Sequence, residues 1–141
     1  MKKIVILFIS IFIFSSCSKD NDDTTEDYHG KWILVKMSGS IQNSETTGSA
    51  MEWQEIYLFN NDGTFTKSRT RNTVTTTASG TYITQNGSDG LYLELTYSKD
   101  SEIIGSCYRN QKEALYFRSN TILSNTWNAC DGPGLDYQKV D

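Results

Sequence analysis

The sequence predicts an all-β fold, a small antiparallel up-and-down β-barrel of eight or nine strands. Three observations carry that expectation. Beyond the first 16 residues no stretch repeats apolar residues at spacings of three and four over ten positions, as an ordinary helix would. Threonine and tyrosine, which fit a pleated surface, are abundant, with eight tyrosines in 141 residues. Turn signals recur roughly every 8–12 residues, the spacing of a sandwich or barrel.

The expected strands are 31–38, 52–60, 63–71, 74–84, 90–98, 102–108, 113–118, 121–127 and 134–140. The first opens at Gly30-Lys31-Trp32. The second and third are joined by Phe59-Asn60-Asn61-Asp62-Gly63-Thr64-Phe65, a hairpin in which Asp-Gly tolerates the positive φ that tight turns need. The fourth contains Gly80-Thr81-Tyr82. In the fifth, Leu91, Leu93, Leu95 and Tyr97 alternate with Tyr92, Glu94 and Thr96, so one face is buried and the other wet. Leu115 and Phe117 alternate with Tyr116 and Arg118, and Leu123 and Trp127 with Ser124 and Thr126. The last strand carries Tyr137-Gln138-Lys139. Short loops imply sequential antiparallel neighbours. The exception is the 13-residue segment from Gly39 to Met51, about twice the usual connection length, with the polar, Gly-flanked composition of a movable lid.

Ahead of this domain lies an address. Met1-Lys2-Lys3 is cationic, and Ile4 to Phe14 is apolar except for Ser10. This reads as a secretory signal peptide, residues 1–16, removed on export. A spanning helix needs about 20 apolar residues, nearly twice this run. Phe14-Ser15-Ser16-Cys17 resembles the lipobox of bacterial lipoproteins, in which the cysteine is acylated and becomes the mature N-terminus. That resemblance implies attachment to a membrane through Cys17. Residues 18–29 hold five acids, one lysine and no apolar residue except Tyr28, so 17–29 reads as a disordered acidic tether. Its acidic start resembles the signal that places Bacteroidota lipoproteins on the outer face of the outer membrane; the alternative is a solvated spacer on a periplasm-facing lipoprotein.

Charge and cysteine usage narrow the function classes. Lys+Arg 13 against Asp+Glu 17 gives net −4, with no strongly basic region, which argues against a nucleic-acid partner. The only histidine, His29, falls in the tether, so no Ser-His-Asp set, Gly-rich phosphate loop or four-ligand zinc set is expected in the domain 30–141, and neither enzymatic activity nor a cofactor is expected. Glu52 and Glu55 read as decoration of a strand. With Cys17 removed, Cys107 and Cys130 form an even pair in an exported protein, which favours a disulfide over two separate buried thiols.

Gly30-Lys31-Trp32 at the first strand, the Phe59 to Phe65 hairpin, Gly80-Thr81-Tyr82 and the final Tyr137-Gln138-Lys139 together resemble the lipocalin-like lipoproteins of Bacteroidota. The resemblance implies a lipocalin-like barrel over residues 30–141, Trp32 closing one end, and the segment after the first strand folding over the opposite end. It also implies a monomer that binds a small hydrophobic or amphipathic ligand in its lumen. The inward candidates to line such a site are Phe59, Leu93, Leu95, Tyr97, Leu115, Phe117, Trp127 and Tyr137, beside Trp32; otherwise they form the core. Phe65, Lys67, Arg69 and Arg71 share one face by period two. Either Arg69 and Arg71 face the lumen and pair with an anionic ligand, or a bulge flips the register and leaves a solvated basic stripe. The competing function is a surface-displayed protein-interaction module of inhibitor or immunity type, with a filled barrel and no ligand.

Overall fold

The computed structural model describes residues 27–107 and 110–140; the expected signal peptide, Cys17 and the expected tether up to residue 26 lie outside the described residues. Among the described residues there are nine strands: β1 (Gly30–Ser38), β2 (Thr46–Thr47), β3 (Gln54–Phe59), β4 (Thr64–Arg71), β5 (Val74–Gly87), β6 (Gly90–Tyr97), β7 (Lys112–Ser119), β8 (Ile122–Asn125) and β9 (Gly134–Val140). β1 and β3 to β9 pair antiparallel with their neighbours, and β1 pairs again with β9, which closes an eight-stranded up-and-down barrel. β2 is a short addition alongside the upper half of β1, at Lys36 and Met37. This is a lipocalin-like architecture, reached through short antiparallel connections.

The two ends differ. One end holds the start of β1, the turns at 60–63, 88–89 and 120–121, and the end of β9. Trp32 is fully buried there, its indole N–H donating to the Tyr28 carbonyl at 2.9 Å and its ring meeting Phe117 edge to face at 5.9 Å. Tyr28 lies across this end, with ring contacts to Tyr82 at 5.9 Å and Phe117 at 6.4 Å. Lys139 donates to the Asp27 carboxylate at 2.9 Å. Residues 27–29, read from sequence as the end of the tether, are thus part of the packed domain. Tyr28 is the reason, since it alone in that acidic stretch has an apolar ring to bury.

The other end is covered by three longer connections, 39–53, 98–111 and 126–133. The segment 39–51 sits at the end opposite Trp32 and is built from local bonds: Gly39 N–H to Ser44 Oγ at 2.9 Å, Ser44 Oγ to the Ile41 carbonyl at 2.5 Å, and Gln54 Nε2 to the Gly48 carbonyl at 2.9 Å. Met51 closes it into the core.

Two strand expectations need correction. Of the stretch 102–108, the described residues 102–107 are not a strand. The β-branched pair Ile103-Ile104 supplied the strand signal, but Ile103 buries its side chain by covering the barrel end, and Ile104 N–H bonds back to the Ser101 carbonyl at 3.2 Å in a turn. The Gly105 backbone rests directly on its neighbours, so that a Cβ there would stand 2.9 Å from Glu113 Oε1 and 3.0 Å from Trp127 Cε3. The strand expected at 121–127 stops at Asn125, because the buried Asn125 amide turns the chain, donating to the Pro133 carbonyl and accepting from Leu135 N–H, both at 2.9 Å. Trp127 therefore belongs to a 3-10 turn, Trp127–Cys130, half-buried over Gly105 and Gly132, and does not line the lumen.

One glycine is required by close approach. Gly80 sits where β5 crosses between Phe65 of β4 and Tyr97 of β6, and a Cβ there would fall 2.0 Å from the Thr96 carbonyl oxygen. Only glycine lets the strands pass so closely at this corner.

Candidate functional site

The inward faces of β3 and β4 bring charge into the lumen. The pairing of β3 with β4 runs without a shift from Gln54↔Thr70 to Phe59↔Phe65. Glu55, Tyr57 and Phe59 then face in together with Phe65, Lys67 and Arg69. There is no bulge, so the basic stripe is not turned outward: Phe65 and Lys67 are buried, and the Arg69 side chain is 10% exposed. Arg71, at the rim, is 56% exposed.

These cations are matched by acids of the same layer. Lys67 Nζ stands 3.1 Å from Glu55 Oε1 and 3.1 Å from each carboxylate oxygen of Glu113. Arg69 Nε donates to Glu55 Oε2 at 2.5 Å and its Nη2 to the Ile103 carbonyl at 3.2 Å. Tyr57 donates to Glu113 Oε1 at 2.9 Å, Tyr137 to Glu55 Oε1 at 2.5 Å, and Tyr97 to Glu113 Oε2. Two carboxylates and two cations make the layer neutral. Charges taken this far from water persist only when paired and hydrogen-bonded throughout, and each partner here meets that condition. Burial, reinforced by the charges of Glu113 and Glu55, pushes the Tyr57, Tyr97 and Tyr137 hydroxyls well above the usual phenol range. All three remain donors.

Below this layer, toward Trp32, the lumen is aromatic and aliphatic. Tyr57 stacks on Phe59 at 5.6 Å, Phe59 meets Tyr82 at 5.0 Å, Phe65 meets Tyr97 at 4.9 Å, and Tyr57 meets Tyr137 at 5.0 Å. Leu93, Leu95, Leu115 and Leu123 complete the same packed cluster. Of the residues expected to line a ligand, Phe59, Leu93, Leu95, Tyr97, Leu115 and Tyr137 are brought together in the lumen, in contact with one another. Phe117 is half-buried against Trp32 at the closed end, and Trp127 lies outside the lumen as described. Arg69 is committed to Glu55 and Arg71 to Glu52, so the two arginines expected to await an anion already have carboxylate partners. Glu55 does not decorate the strand surface. It is buried because its Cβ falls on the inward face between Trp53 and Tyr57, where Lys67 and Arg69 neutralise it.

Glu113 and the inward role of Glu55 were missed by sequence reasoning. The available signal was the period-two run Trp53, Glu55, Tyr57, Phe59, which places an acid among three aromatics, and the inward alternation of Glu113 with Leu115. Each acid reads as a surface residue until the register sets it beside Lys67.

Two clefts approach the charged layer from the end opposite Trp32. One, of about 330 Å³, has Glu113 in its wall and runs between the Lys112–Glu94 pair and the Cys107–Cys130 disulfide. The disulfide spans a Cα separation of 5.6 Å and ties the 98–111 connection to 126–133. The other, of about 290 Å³, opens between the top of β4, the start of β5 and Ile103. Among the described residues, no group of three or more His, Cys, Asp or Glu side chains is placed to hold a metal ion. No helix among the described residues is long and apolar enough to cross a membrane. No family model matches the chain, and no curated protein and no solved structure is significantly similar to it.

Proposed function

We propose that the protein is a lipid-anchored barrel on the outer membrane that works as a surface-displayed protein-interaction module, its lumen filled by its own side chains. The observation that carries this reading is the Glu55–Lys67–Glu113 layer. A barrel of eight strands either holds one small ligand or is filled by side chains, and here every lumen donor and acceptor of the layer is spent on another. A hydrophobic ligand, the reading implied by the family resemblance, would have to separate stacked aromatics below and desolvated ion pairs above.

The anchoring part rests on the signal peptide, the lipobox and Cys17. Residues 18–26 reach at most about 32 Å, and the chain enters the domain at Tyr28, beside Trp32. In an anchored barrel the Trp32 end is then the one joined to the tether, and the opposite end is the one farther from the anchor. That outward end carries Ile41 and Val74, at 78% and 65% the most exposed large hydrophobic residues among those described.

The test is recovery of the protein from membranes followed by native mass spectrometry and by cross-linking from Ile41→Cys. The expected result is a protein without small-molecule cargo, cross-linked to a discrete partner, and Cys17→Ser protein that folds but leaves the membrane. Stoichiometric release of an apolar compound would replace this reading with ligand carriage.

A further inference from the structure

Two of the connections that cover the end opposite Trp32 are joined by a covalent tie. Cys107 lies beyond β6 and Cys130 ends the 3-10 turn Trp127–Cys130, so neither cysteine belongs to a strand. Both are exposed, which leaves their bridge open to a thiolate arriving from solvent. Among the described residues no backbone hydrogen bond runs between 98–107 and 126–133. Where the two segments touch, the Trp127 ring lies on the bare backbone of Gly105, so closely that a Cβ there would stand 3.0 Å from Cε3. A glycine brings no side chain to such a contact, which therefore buries little apolar area of its own.

Beneath this cover lies the charged layer. Gly105 rests on Glu113, a Cβ there falling 2.9 Å from Oε1, and Cys107 and Glu113 share the wall of the 330 Å³ cleft. The buried Ile103 side chain, and the bond from Arg69 to the Ile103 carbonyl, hold the middle of the same segment on the barrel. The barrel itself does not need the bridge for its closure. Its eight strands form a ring of ladders sealed by β1 and β9, and no paired residue of that ring falls in 98–107 or 126–133. Opening at the bridge can therefore stay local, the end cover parting while the ladders persist.

We propose that the Cys107–Cys130 bridge is a redox latch on the end opposite Trp32: a small dithiol reduces it, and 98–107 and 126–133 then part above Glu113 while the barrel stays closed. One thiolate of the reductant attacks a bridge sulfur, forming a mixed disulfide and releasing the other cysteine as thiolate. The second thiol of the reductant then displaces the first cysteine and closes the reductant into a cyclic disulfide. Two electrons and two protons pass to the protein, which ends with two thiols. The latch is independent of what this end of the barrel binds.

The experiment uses the full chain with Cys17→Ser, in which Cys107 and Cys130 are the only cysteines, labelled with 15N-tryptophan. The Trp127 indole resonance is identified by its loss in Trp127→Phe. The probe is millimolar dithiothreitol at neutral pH, followed by alkylation and mass measurement. The expected result is one alkyl group on each of the two cysteines, with several-fold faster hydrogen exchange at the Trp127 indole and the 98–107 amides. Amides of β3 to β6 and the Trp32 indole should exchange as before, and oxidised glutathione should restore the slow form. Cys107→Ser/Cys130→Ser should exchange like the reduced protein and ignore the dithiol. A bridge that resists dithiothreitol while the barrel is folded overturns the latch. So does a reduced protein whose Trp127 indole exchanges as slowly as before, or one in which β3 to β6 lose protection together with the end cover.

Discussion

Lys67 Nζ lies 3.1 Å from both carboxylate oxygens of Glu113, and neither side chain reaches solvent. Removing the cation alone leaves Glu113 and Glu55 facing each other in a dry lumen. Lys67→Met should therefore cost about 3–5 kcal/mol, the scale found on breaking a buried pair from one side. Urea unfolding at neutral pH measures it. Replacing Lys67 and Glu113 together by apolar residues should cost less than the sum of the single changes; an additive result would mean that the two side chains do not act on one another.

The tyrosines of the layer give a pH dependence. Tyr57, Tyr97 and Tyr137 are driven well above their ordinary value of 10.0 by burial first and by neighbouring carboxylates second, and burial pushes Tyr82 up to about 12. Their folded values exceed their unfolded ones, so the stability they hold is complete below pH 10 and is lost as pH rises above it. Absorbance titration should show these phenols ionising only as the protein unfolds. Reversible ionisation of all tyrosines near pH 10, with the barrel intact, would contradict the buried layer.

Cys107 and Cys130 close a loop of about 24 residues, worth roughly 3 kcal/mol in the chain-entropy account. The expected phenotype of Cys107→Ser/Cys130→Ser is a barrel still folded but less stable by that order, with faster amide exchange in 98–111 and 126–133 than elsewhere. Uniform loosening would indicate that the bridge supports the whole barrel and not the end cover.

Trp32 is buried between Tyr28 and Phe117 and its N–H is spent on the Tyr28 carbonyl. Trp32→Ala should cost about 3–5 kcal/mol, as for other large aromatic cavities. Deleting residues up to Tyr28 should lower stability as well, because the indole N–H then loses its acceptor. A shortened chain of unchanged stability would return Tyr28 to the tether.

The strands were legible wherever one face is apolar and the other polar, as in Leu91 to Tyr97, because period-two patterning survives without any knowledge of neighbours. The closing role of Trp32 was an implication of the family resemblance, carried by Gly30-Lys31-Trp32 at the head of the first strand. What escaped was set by register. Lys67 and Arg69 stood out as misplaced cations, but Glu113 lies 46 residues from Lys67, and no local pattern marks it as the counter-charge. Ile103 and Trp127 were misread for the opposite reason: their chemistry asks for burial, and the end of the barrel satisfies that demand as well as a strand does.

The seam between β1 and β9 joins residues about a hundred positions apart, with Lys31 opposite Val140 and Ser38 opposite Gly134. Every other ladder of the barrel can form between neighbours as the chain lengthens, but this one waits for the last strand. Until then the open sheet has two free edges and the aromatic interior has no wall on one side. A chain with so distant a closure folds late and slowly, and on the export proposed above that delay would suit passage across a membrane in the unfolded state: the barrel can seal only once Tyr137 is free to reach Glu55.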